Sequence, residues 1–164
     1  MRIAVLPLLG AAAVLTTLTG CPGPASCDPP ENPETFEVGT GEDCFERVTA
    51  DEAVPIMSGP QGGFHVWLAI GCGDCESSVR LRFKITNTDS GAEVTPDTEL
   101  FVDLYGDEWT QSPGLQAQIF NESNFELGDH LHFDVRVFDA ETGNTLLHEG
   151  SMDIVAGSYQ EWNG

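Results

Sequence analysis

His130 and His132 lie two residues apart, and Asp134 follows in the same row. On a strand that spacing puts all three side chains on one face. Two imidazoles and a carboxylate can ligate a metal, but a tetrahedral site needs a further donor. His65 and His148 are the remaining histidines, and either can complete the set only if the fold carries it across. The plainer reading is the solvent side of an outer strand, where polar residues belong. His65 stands between Gly62-Gly63 and Trp67 in an apolar run, which suits a hydrogen-bonded core or rim histidine. The sequence therefore assigns no metal and keeps His65, His130 and His132 as candidates.

The chain has five cysteines, and four of them (Cys27, Cys44, Cys72 and Cys75) follow Cys21. An even number suits disulfides in an exported protein. Four cysteines allow three pairings. Cys72-Gly73-Asp74-Cys75 can close locally at a turn, leaving Cys27 with Cys44, and the crossed pairings rank below this one. Cys-x-x-Cys also opens a helix in thioredoxin-like redox proteins, but here strand-like runs flank it on both sides. Zinc would require a second cysteine pair or histidines at zinc-finger spacing, and the sequence has neither.

Two acidic turns offer oxygen ligands for calcium: Asp103, Asp107 and Glu108 around Gly106, and Asp139, Glu141 and Asn144. Neither matches the twelve-residue calcium loop. Trp67, Phe101, Tyr105, Trp109 and Trp162 make a carbohydrate or peptide platform if they are exposed together, although core is the better place for Trp67. There is no Gly-x-Ser-x-Gly, no His-Glu-x-x-His and no phosphate-cradling glycine loop. No catalytic residue is assigned, and the chain is not expected to be an enzyme.

The elements that must hold these groups read as strands. Val79–Ile85 alternates, with Arg80, Arg82 and Lys84 opposite the apolar set, and Leu131–Val137 alternates in the same way. Phe64–Ile70 is apolar on both faces, as a central strand is. Phe36–Val38, Phe45–Val48, Ala53–Met57, Leu100–Tyr105, Leu115–Phe120, Thr145–Leu147 and Ser151–Val155 are shorter candidates. Gly59-Pro60-Gln61-Gly62-Gly63, Asn87–Gly91 and Asp139–Asn144 are turns by composition. No stretch has a helical period. Many short strands joined by Gly, Asn, Asp and Pro turns predict an all-β chain, a single immunoglobulin-like β-sandwich.

The 164 residues carry 27 acids and 6 bases, a net charge of -21. Phosphate recognition needs a cationic footprint, so nucleic acid is excluded as a partner class. The acidity suits solubility, or attraction of cations and basic partners.

The N-terminus carries its own address. Arg2 is followed by an apolar stretch and then by small residues, the form of a secretory signal. Leu18-Thr19-Gly20-Cys21 resembles the lipobox of bacterial lipoproteins. The resemblance implies cleavage before Cys21 and a diacylglycerol on its thiol. Pro22, Pro24, Pro29, Pro30 and Pro33 then make residues 21–34 an extended tether. Gly39-Thr40-Gly41, Phe45, Val54-Pro55-Ile56 and Gly59-Pro60-Gln61-Gly62-Gly63-Phe64-His65-Val66-Trp67 are similar to segments of uncharacterised lipoproteins of myxobacterial type. That likeness implies a secreted β-domain built around the motif and brings no activity with it.

The expected layout is a signal peptide (1–20), a lipid-anchored tether (21–34), a β-sandwich (35–157) and a tail (158–164). The expected function is a non-enzymatic binding or interaction module. It is held in the cell envelope, at the outer membrane, by the lipid on Cys21, and its partner is an envelope or surface protein. The alternative is a metal-binding envelope lipoprotein for a transition metal or calcium. No cofactor beyond the covalent lipid is expected.

Overall fold

The computed structural model describes residues 35–59, 62–106 and 109–162. The signal, the tether, Cys21, Cys27, the Pro60-Gln61 pair and the Asp107-Glu108 pair lie outside these residues. The described chain is nearly all β. Eight strands follow in order: β1 Phe36–Gly39, β2 Ala53–Ser58, β3 Phe64–Cys72, β4 Ser78–Asn87, β5 Glu93–Asp103, β6 Thr110–Ile119, β7 His130–Asp139 and β8 Leu146–Glu161. One 3-10 turn, Glu122–Asn124, separates β6 from β7.

Hydrogen bonding runs β1-β3-β2-β8-β7-β4-β5, and β6 pairs β3. β2 holds the two groups of strands together. It runs parallel to β8 along its length and antiparallel to β3 at Met57 and Ser58.

The core follows from period-two alternation. Val79, Leu81, Phe83 and Ile85 of β4 are fully buried, and Leu131, Phe133, Val135 and Val137 of β7 are buried beside them. The two rows are in register, with Leu81 opposite Val137, Phe83 opposite Val135 and Ile85 opposite Phe133. Val66, Leu68 and Ile70 of β3 join the same cluster. The outward row of β4 is neutralised by acids. Arg80 and Arg82 both bind Glu99, at 3.1 and 2.7 Å, and Lys84 binds Glu93 at 3.1 Å. The two arginines hold the Glu99 carboxyl below the usual range, Arg82 more strongly, through charge-assisted hydrogen bonds.

Several strand expectations change. β5 begins at Glu93 and β6 at Thr110, well before the predicted Leu100 and Leu115. Phe45–Val48 is not a strand; Glu46 makes only a bridge to Thr40. Thr145–Leu147 and Ser151–Val155 merge into β8, which continues through Glu161 into the residues assigned to the tail. Proline explains the first change. Pro55, Pro96 and Pro113 each sit where a ladder shifts register. Proline donates no hydrogen bond, and inside sheets it is confined to edges and bulges.

Phe133→Ala should cost about 3–5 kcal/mol in urea unfolding, because it empties the centre of the core. Phe101 is 65 % exposed on β5, so Phe101→Ala should stay within about 0.5 kcal/mol of the parent.

Candidate functional site

On the outward side of the β3–β6 pair, Trp67 faces Gln116 and His65 faces Gln118 in the ladder. Trp162, just past β8, closes over them. The three rings meet edge to face, with His65–Trp67 centroids 4.6 Å apart, Trp67–Trp162 5.7 Å and His65–Trp162 5.9 Å. Edge-to-face contact matches the positive ring edge to the negative ring face. Trp162 Nε1 donates to Glu42 Oε1 at 2.9 Å. Thr40 Oγ1 donates to the Trp67 carbonyl at 2.6 Å. The Gly-Thr-Gly segment and the His-Val-Trp segment, far apart in sequence, therefore converge on one aromatic box.

Two hollows flank the box. The first, of about 310 Å³, is lined by Gly59, Gly62, Gly63, His65, Gln118 and Trp162, among others. Its rim turns on Gly62 and Gly63, whose φ values of 80° and 87° belong to the left-handed region that favours glycine. The second, of about 230 Å³, has Trp67 and Met57 on its wall and Glu42, Glu46 and Glu52 around it. His65 is only 4 % exposed, and its Nε2 has no hydrogen-bond partner. Burial lowers its pKa, and the nearby charge of Glu42 only partly opposes that. The ring is therefore neutral at neutral pH, with one nitrogen donating and one accepting.

The candidate histidines do not come together. His65 sits in the box, whereas His130 and His132 are on the outer side of β7, each held by its own acids. His130 Nδ1 lies 3.0 Å from Asp89, and His132 Nδ1 lies 2.7 Å from Asp153. The Asp89 hydrogen bond and charge raise the His130 pKa, and His130 in turn lowers that of Asp89. In each acidic turn one carboxylate among the described residues is engaged internally. Asp139 accepts from the Thr142 backbone and hydroxyl, which lowers its pKa, and Asp103 accepts from Ser78.

The aromatic platform forms only in part. Trp67 and Trp162 meet, and Trp67 is half-buried at the box. Phe101 and Tyr105 are exposed elsewhere. Trp109 packs edge-on against Phe45 at 5.1 Å and lies over Gly71, where any side chain would collide with its ring.

Cys72 and Cys75 are joined as a disulfide. Cys44 is buried, and its expected partner Cys27 lies outside the described residues. The sequence showed no histidine at zinc-finger spacing, but the fold supplies one from β8. His148 stands with Cys72 and Cys75, their ligating atoms all within 4.8 Å of one another. Packing of β8 against β1, with Phe36 on the His148 ring, puts it there rather than sequence spacing.

No family model, curated protein or solved structure matches the chain. The site must be read from its own chemistry.

The two perturbed histidines should titrate in opposite directions, His130 above and His65 below the ordinary value of about 6.5, in pH-resolved NMR of the ring protons. For His130 the fold favours the charged form. Its contribution to stability is complete below about pH 6.5 and is lost as pH rises through its raised pKa. For His65 the fold favours the neutral form. Its contribution is complete above about pH 6.5 and is lost as pH falls toward its lowered pKa. Urea unfolding of His130→Gln and His65→Gln across pH 5–8 should remove these two dependences one at a time.

Proposed function

We propose that this chain is a lipid-anchored envelope protein whose β-domain, an immunoglobulin-like sandwich, is a non-enzymatic module that binds a basic segment of a partner protein. The sandwich reading is supported by the two strand groups, β5-β4-β7-β8-β2 and β1-β3-β6, and by β2 pairing into both. The anchor reading is supported by the Leu-Thr-Gly-Cys run ending at Cys21. Acyl chains hold a membrane at about 0.8 kcal/mol per buried methylene, and the proline-rich residues 21–34 would carry the module away from the surface.

One observation carries the binding reading: the second hollow joins the Trp67 ring to the carboxylates of Glu42, Glu46 and Glu52. A lysine or arginine side chain fits that chemistry. Its cation lies over the indole face and its charge is balanced at the rim. The net charge of -21 draws basic partners toward the surface and repels anionic polymers. Gln116, Gln118 and the neutral His65 beside the box add donors and acceptors for the partner's backbone. Metal binding by His65, His130 and His132 is not the preferred alternative, because they occupy different places.

An arginine-rich peptide titrated into the full-length chain should quench tryptophan fluorescence, with affinity falling as salt rises. Trp67→Ala should weaken binding about 2- to 30-fold, and Glu46→Gln with Glu52→Gln should flatten the salt dependence. Equal affinity for a neutral peptide, or indifference to Trp67→Ala, would refute the reading. The anchor has a separate test: Cys21→Ser should move the protein from the membrane fraction to the soluble one.

A further inference from the structure

We propose that Cys72, Asp74, Cys75 and His148 form a redox-gated site for one thiophilic metal ion of the zinc class, closed while the disulfide stands and opened by its reduction. The inference goes beyond the binding-module reading and rests on none of its residues.

Among the described residues, Cys72, Cys75 and His148 are the one group of three such side chains whose ligating atoms all lie within 4.8 Å of one another. Asp74 is a fourth donor beside two of the three, outside the group that lies within 4.8 Å, and its exposed side chain must turn to complete the set. Asp74 Oδ1 is 3.0 Å from His148 Nε2 and 3.6 Å from Cys72 Sγ. In a zinc tetrahedron with bonds of about 2.0–2.3 Å, the nitrogen–oxygen edge is about 3.3 Å and the sulfur–oxygen edge about 3.5 Å. The acid and the imidazole thus stand near the spacing that a shared ion requires. Phe36 stacks on the His148 ring, with centroids 5.6 Å apart and planes at 20°. That contact fixes the ring plane before any ion arrives.

The sulfurs are the gate. Bonded to each other, they have no thiolate to offer. Two thiolates on one ion stand about 3.8 Å apart, which only the reduced pair can adopt. Cys75 is partly exposed and lies in the turn between β3 and β4, so it is the sulfur that a reductant reaches. The reductant is a dithiol of the thioredoxin class. Its thiolate attacks the Cys75 sulfur and Cys72 leaves as a thiolate. The second donor thiolate then breaks the mixed disulfide and releases Cys75. Two electrons pass to the cysteines and the donor departs as its own disulfide. A divalent ion then takes the two thiolates, the neutral imidazole and the carboxylate, and any thiol protons go to water. Thiolate ligands select zinc, or copper in its reduced state, over calcium and magnesium.

The test uses cobalt(II) as a spectroscopic stand-in for zinc, on the full-length chain held without oxygen. A Cys72→Ser/Cys75→Ser double variant sets the background from the other cysteines. After phosphine reduction and removal of the phosphine, the parent should bind one cobalt ion per chain above that background. It should show thiolate-to-cobalt charge transfer and the intense visible bands of a tetrahedral ion. The oxidised parent should bind none. Asp74 is exposed, so Asp74→Ala should keep the fold, checked by circular dichroism, while weakening cobalt at least about tenfold. His148→Ala should do the same. A reduced parent that binds no more cobalt than the double variant, equal binding by the oxidised and reduced parent, or unchanged affinity in Asp74→Ala would each overturn the proposal.

Discussion

The matched apolar rows of β4 and β7 are the constraint on which the rest of the structure depends. Their alternation fixes which face of each strand is buried, because a shift by a single residue would bring Arg80, Arg82 and Lys84 into the core. With the inward faces committed to Leu81, Phe83, Phe133 and Val135, the charged side chains of these strands stand outside, and Asn87, which ends the inward row of β4, is buried with its amide bonded to Asn124 and Asp129. β8 is then fixed against β7, and β2 against β8. The register of β2 delivers Met57 and Ser58 to the start of β3, which is where His65 begins the aromatic box. Geometry at the box is thus inherited from packing on the far side of the molecule.

Polar groups outside the core are mostly matched to one another. The basic row of β4 is neutralised by Glu93 and Glu99, Arg136 by Asp97, and His130 and His132 by aspartates. Exposed pairs of this kind contribute little stability each. Their main effect is to leave few unengaged cations on a strongly acidic chain. Against that background two buried nitrogens among the described residues have no partner, Nε1 of Trp109 and, at the box, Nε2 of His65, and an unsatisfied buried polar group costs about 1–3 kcal/mol. A ligand that bonds the His65 nitrogen recovers that cost.

Where residues alternate strictly, the strands were legible. β4, β7 and the apolar β3 follow from side-chain pattern alone. The starts of β5 and β6 were hidden because Pro96 and Pro113-Gly114 break the strand pattern, although each proline occupies a bulge that the ladder absorbs. β8 read as two pieces because His148, Glu149 and Gly150 interrupt its apolar pattern. Phe45 was rightly apolar but wrongly placed in a strand; its ring is buried from a loop, against Trp109. The Gly-Gly-Phe-His-Val-Trp run marked one wall of the box. The other wall, Trp162, had no signal, since nothing local tells which distant ring a C-terminal tryptophan will meet. His148 was likewise invisible as a neighbour of Cys72 and Cys75. Its position follows from β8 pairing with β7 while β1 lays Phe36 beside it.

β3 and β8 connect the two proposed sites. His65 lies near the start of β3 and Cys72 at its end, about 23 Å apart at strand rise. β8 runs the other way, from His148 beside the cysteines to the residues that precede Trp162. Each site is therefore built where the opposite ends of the same two strands approach, with β2 bonded to both strands at the box end and β1 lying at the cysteine end. Backbone hydrogen bonds hold these strands whether Cys72 and Cys75 are oxidised or reduced. The bond joins Cys72, the last ladder residue of β3, to Cys75 in the turn that follows, and the cysteines are only three residues apart. Closing so short a loop removes little entropy from the unfolded chain compared with closing a long one. Opening the disulfide thus leaves the main stabilising contacts of the fold intact, the physical condition for a redox change at one end of β3 while the aromatic box at the other keeps its shape.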